Sequence, residues 1–146
     1  MINALLTDKC EVIMNRKLIG VAALLVAIPF YAQADAVSEL EAEYQAQGAG
    51  NFSAAPGEAL WNKTFVDAKK GDKRSCATCH TTDLKQLGKQ ARTGKVIEPL
   101  APSVNPKRFT EVKKIKKWFV RNCKWTLGRE CTAQEKGDVL AFVKNL

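Results

Sequence analysis

The five residues Cys76-Ala77-Thr78-Cys79-His80 constrain this chain more than any other stretch. Cys-x-x-Cys-His is the attachment pattern of a covalent haem c. Two thiols three positions apart lie on one side of a helical turn, where both can form thioethers along one edge of a porphyrin. The following His80 then falls beneath the iron and offers its imidazole as the proximal ligand. The same residues could instead form a redox dithiol or half of a zinc site. The rest of the chain favours haem.

The chain opens with residues that do not belong to a fold. Met14-Asn15-Arg16-Lys17 is short and basic, Leu18 to Phe30 is apolar but for Gly20 and Pro29, and Ala32-Gln33-Ala34 gives an A-x-A cleavage site before Asp35. This is the pattern of a secretory signal peptide, and the apolar run is short for a membrane span. The expectation is a signal peptide over 1–34, with Met14 as a candidate start, and one mature domain over 35–146, exported to the periplasm. An uncleaved membrane anchor is the alternative.

Export decides the cysteine count. Cys76, Cys79, Cys123 and Cys131 remain, and two of these go to haem. Cys123 and Cys131, eight positions apart, would enter a compartment where a disulfide persists. A zinc module built from all four cysteines is the competing reading. It lacks the usual paired spacing in its second half. The chain carries a formal charge of +8. That balance suits docking to an acidic protein or an anionic surface, and export argues against nucleic acid.

Helical periodicity dominates the remainder. Asp35 to Gln47 reads as a helix with Val37, Leu40 and Tyr44 on one face. A second helix is expected over roughly 57–69, with Leu60, Trp61 and Phe65 inward and turned toward the haem edge. Asp83 to Gln90 reads as a short helix. Pro99, Pro102 and Pro106 make the following segment an extended loop. A helix from about Thr110 to Asn122 puts Val112, Ile115, Trp118, Phe119 and Asn122 inward, and Lys113, Lys114, Lys116, Lys117 and Arg121 outward. Thr132 and Glu135 form a capping box ahead of a last helix whose stripe is Val139, Leu140, Phe142, Val143 and Leu146. No strand is evident. A first helix, a haem motif and a closing helix resemble the plan of class I cytochromes c, so the fold class is mostly α around a single covalent haem.

One absence is informative. Residues 35–146 contain no methionine and no histidine besides His80. The usual distal ligands of an electron-transfer cytochrome, Met or a second His, are therefore missing. The iron is then five-coordinate, bound by water, or bound by something unusual: Asn, Lys, Tyr44 or a terminal amine. Asn122 stands out because it interrupts the apolar face of its helix beside Cys123. Its alternative role is to cap the C-terminus of that helix. An amide would be a weak neutral ligand, tolerable to ferric iron and poorer for the softer ferrous ion.

The run Arg92-Thr93-Gly94-Lys95, with Pro99-Leu100-Ala101-Pro102-Ser103, Arg121-Asn122-Cys123 and Gly128-Arg129-Glu130-Cys131-Thr132, resembles the SHP-type cytochromes c. These are small, high-spin, oxygen-binding monohaem proteins. The resemblance covers most of residues 35–146, is strongest from Cys76 to Leu146 and is only generic in the first helix. It implies that Cys76 and Cys79 carry the haem, and that His80 and Asn122 are the metal ligands. It also implies that Asn122 leaves on reduction and that Cys123 and Cys131 are bridged. The partners it implies are a dihaem cytochrome c donor, a membrane b-type cytochrome and a small diatomic ligand. The function expected is a periplasmic cytochrome that accepts electrons and binds or reduces O2, NO, CO or a peroxide. A plain electron-transfer cytochrome with an unusual sixth ligand is the alternative. Catalytic residues and enzymatic turnover are not legible, since no proton donor stands out.

Overall fold

A computed structural model describes residues 35–146. The expected signal peptide lies outside these residues.

The first helix, α1 (Ala36–Ala46), starts where Asp35 accepts the N–H groups of Val37 and Ser38. Such a carboxylate satisfies donors that a helix start leaves free. As expected, α1 buries Val37, Leu40 and Tyr44. The second helix, α2 (Ala54–Asn62), is shorter than expected and begins earlier. Beyond it the chain forms a hairpin of β1 (Phe65–Val66) and β2 (Lys73–Arg74). Asp67 makes the turn, its carboxylate accepting the N–H groups of Lys69 and Lys70. Phe65 therefore continues into a strand and not a helix.

The haem motif forms the one-turn helix α3 (Ala77–His80). The short helix expected over 83–90 is not present. Those residues form a turn and then β3 (Gly88–Lys89), paired with β4 (Val96–Ile97). The two hairpins are the only strands among the described residues, so the fold remains mostly α.

The fourth helix, α4 (Val112–Leu127), begins two residues after Thr110 and runs well past Asn122. Gly128 stops it in the left-handed conformation, φ 73°, the usual αL close. The last helix, α5 (Ala133–Val143), starts with the expected Thr132–Glu135 capping box. The core gathers Val37, Leu40, Tyr44, Trp61, Ile115, Val139, Leu140 and Val143. The crossing of α2 and α5 is close. A Cβ on Gly57 would stand 2.0 Å from the Asp138 carbonyl oxygen. Asp138, buried, accepts the Ser53 N–H at 2.9 Å and ties the start of α2 to α5.

Trp118 departs from the expected inner face. It is 48% exposed, with the Arg121 guanidinium 5.1 Å from its ring. The buried stripe of α4 passes through Ile115, Cys123 and Thr126.

Candidate functional site

The haem motif is shaped by hydrogen bonds that precede and follow it. Ser75 and Thr78 exchange side-chain bonds: the Thr78 N–H donates to the Ser75 hydroxyl at 3.1 Å, and the Ser75 N–H donates to the Thr78 hydroxyl at 2.9 Å. This reciprocal pair works as a capping box does, and it fixes the turn that carries Cys76 and Cys79. The His80 N–H closes the turn on the Cys76 carbonyl at 3.2 Å. Thr81 then ends it with φ 67°, a conformation rare for a β-branched residue. Its hydroxyl compensates by donating to the Asp83 carbonyl at 2.6 Å.

Three elements enclose this turn. Trp61 of α2 lies against the His80 imidazole, ring centroids 5.4 Å apart and tilted by 47°, and its indole N–H donates to the Thr81 carbonyl. The aromatic helix therefore packs on His80. Behind the turn, β3 presses so closely that a Cβ on Gly88 would stand 2.2 Å from the Cys79 carbonyl oxygen. The proline loop is held by the Leu84 carbonyl, which accepts from Leu100 and Ala101. Arg108 holds the loop further on through the Pro99 carbonyl at 2.8 Å.

The electrostatics suit a ligating imidazole. Burial first, and then the Arg108 charge, push the His80 pKa down to about 4. The ring therefore stays neutral at ordinary pH, and the neutral form is the one that binds a metal. Burial also raises the Cys76 thiol to about 11, so it is a protonated thiol and not a reactive thiolate.

The donor set fits haem c. Cys76 and Cys79 are both free and share one turn with a neutral histidine. The same observations dispose of the zinc alternative. Cys123 and Cys131 are joined in a disulfide with Cα atoms 5.5 Å apart. Among the described residues, no group of three or more His, Cys, Asp or Glu side chains could hold a metal ion.

Asn122 lies inside α4, five residues before its end, and is half-buried next to Cys123. The capping role is thereby excluded. Two other asparagines, Asn62 at the end of α2 and Asn145 just beyond α5, donate their amides to carbonyls four residues back. Among the described residues the Asn122 amide has no such partner. Tyr44, another ligand candidate, is buried in the α1 core with its pKa raised to about 12, chiefly by burial. A phenol held neutral in this way is a poor ligand for iron.

Comparison with known proteins follows the same line. Residues 47–143 match a family described as "Domain of unknown function (DUF1924)". The cytochrome c-type protein SHP of Cereibacter sphaeroides is 43% identical over 130 residues, which cover 89% of this chain and 98% of that protein. The chain belongs to the SHP-type cytochromes c. The structure of oxidised SHP, described as an oxygen-binding cytochrome c, superposes with a TM-score of 0.68 at 38% identity. It covers 78% of this chain and all of that one. Cytochrome c'' of Methylophilus methylotrophus is 38% identical over 91 residues, 62% of each chain. Its oxidised crystal structure superposes with a TM-score of 0.65, covering 75% of this chain and 93% of that one.

Membership of the SHP-type cytochromes fixes the cofactor as one covalent haem c, and Cys76, Cys79 and His80 are the residues that could hold it. It also fixes the mostly α, cytochrome c-like fold. No described helix is long and apolar enough to cross a membrane. Sequence reasoning missed Ser75, Gly88 and Arg108. Only Ser75 left a local signal, the Ser-x-x-Thr spacing of a cap.

Proposed function

We propose that this chain is an exported, periplasmic haem c protein that accepts electrons and binds or reduces a small molecule such as O2, NO, CO or a peroxide. Asn122 would offer its amide to the ferric iron and would give way when the iron is reduced. The observation that carries this reading is the uncommitted Asn122 amide on the inner side of α4, in a domain whose residues 35–146 offer neither Met nor a second His.

Haem c, when bound, supplies an iron that exchanges one electron and accepts a diatomic ligand. The residues of the chain do the rest. His80, kept neutral, would ligate the iron, and Trp61 packs against its ring. Asn122 offers a neutral amide that suits ferric better than ferrous iron. Two relatives support the reading. SHP is described as oxygen-binding, and a solution structure of cytochrome c'' is described as giving insight into haem-ligand detachment.

The electron donor on this reading is a dihaem cytochrome c working with a membrane b-type cytochrome. Lys113 and Lys117 are exposed on the outer side of α4. Lys114 and Lys116 share that side but pair with Glu111 and Glu43. A basic face of this kind steers an acidic partner.

The experiment is the absorption spectrum of the purified holoprotein, oxidised, reduced, and reduced under CO, for the parent and for Asn122→Ala. The parent should shift rapidly under CO once reduced. Asn122→Ala should alter the ferric spectrum and speed ferric ligand binding. A low-spin reduced spectrum that CO leaves unchanged would return the protein to plain electron carriage.

A further inference from the structure

Arg74 closes β2, two residues before Cys76, and its side chain reaches out of the hairpin to α4. Its Nη1 donates to the Trp125 carbonyl at 3.0 Å, and the guanidinium lies 4.9 Å from the centre of the Trp125 ring. The same Nη1 meets Asp67 at 2.6 Å, and Nη2 reaches Asp72 at 3.5 Å. For an arginine at a hairpin end, the side chain is unusually covered, 12% exposed.

Each contact has a physical reason. Trp125 lies in the last turn of α4, where carbonyls run out of donors along the helix and where the helix dipole favours a cation. Asp67 is itself held by the turn it makes. A guanidinium can serve a carbonyl, a carboxylate and an aromatic face together, which an ammonium cannot. One side chain thus joins the segment entering the haem motif to the helix that carries Asn122, three residues before Trp125. The Cys123–Cys131 bridge holds the same end of α4 from the α5 side.

We infer that Arg74 is a positioning residue for the distal side: it locks α4 to the Cys76 segment and so sets how firmly Asn122 stands over the group that Cys76, Cys79 and His80 hold. The inference rests on the reading of Asn122 given above.

The test uses the ferric holoprotein and imidazole as an added ligand, with binding followed by stopped-flow absorbance. Arg74→Ala should raise the imidazole on-rate roughly tenfold, in the range by which outer supporting residues tune metal sites. Its haem-to-protein ratio and far-ultraviolet circular dichroism should match the parent. Arg74→Lys should fall between the two. In an Asn122→Ala background, where the distal side already stands open, Arg74→Ala should add nothing. An unchanged on-rate in folded Arg74→Ala overturns the inference, and so does an effect that adds to that of Asn122→Ala. If Asn122→Ala alone leaves the on-rate unchanged, the distal role of Asn122 fails and takes the inference with it. Should Arg74→Ala not fold, Arg74→Lys and Asp67→Asn carry the same test. Their effects must likewise vanish in the Asn122→Ala background, and additive effects overturn the inference.

Discussion

Gly88 and the Cys79 carbonyl approach each other so closely that a side chain at position 88 has no room: a Cβ would stand 2.2 Å from the oxygen and 3.2 Å from the His80 Cα. The β3–β4 hairpin is therefore the back wall of the haem turn. Gly88→Ala should push the two apart, at about 1–3 kcal/mol for overpacking of this kind. The expected outcome is a lower denaturation midpoint together with a reduced haem-to-protein ratio. A variant with the parent's midpoint and full haem content would show that the wall yields freely.

The disulfide gives a second prediction. Cys123 and Cys131 are separated by eight positions. Loop-closure entropy for so short a ring is about 2.5 kcal/mol. Replacing both with serine should cost about that much in urea denaturation. The loss should fall on the end of α4, so hydrogen exchange at residues 123–131 should rise before that of α1.

Asp138 is buried and accepts the Ser53 N–H and the Gln134 amide. Asp138→Ala strands the Ser53 donor at the start of α2. Ser53 is exposed, so the loss is that of one hydrogen bond, about 0.5–1.5 kcal/mol, to be read from thermal or urea unfolding. Because α2 carries Trp61, the His80 environment should also loosen. A changed ferric spectrum in the folded variant would show it.

Glu135 sets an acid limit. The side-chain bond from Arg129 is the chief reason its carboxyl sits below the ordinary 4.5, with the Thr132 N–H adding to it. A carboxyl whose folded pKa is lowered stabilises the fold above its unfolded value, and that stability is lost as pH falls through the folded value. Stability should therefore drop as pH falls from about 4.5 downward. Glu135→Gln should be less stable at neutral pH and show a shallower acid loss. An equal slope in both proteins would assign the acid sensitivity elsewhere.

What the sequence revealed was what is encoded locally. The haem motif and the two capped helices α1 and α5 needed only near neighbours: Asp35 on Val37 and Ser38, Thr132 on Glu135. The end of α4 was misread because its stop is Gly128 and not Asn122, although a glycine in that place is itself a sequence signal. Correcting it removed the rival role of Asn122. Trp118 was misplaced because helical period gives a direction, while the width of the buried stripe depends on what packs against it. The helix expected over 83–90 failed for a similar reason, since Gly88 is pressed flat against Cys79. Arg74 and Arg108 act on residues 51 and 9 positions away. No local pattern announces a guanidinium whose partner is a distant carbonyl.

The bridge between Cys123 and Cys131 also places a demand on assembly. Of the single bridges that these four cysteines could form, only Cys123–Cys131 spares both Cys76 and Cys79. To take a haem, those two must remain thiols until the vinyl groups reach them, while two others in the same chain must lose their hydrogens to an oxidant. The folded chain therefore records two opposite chemical histories, a reduced pair and an oxidised pair, sorted correctly within one small domain.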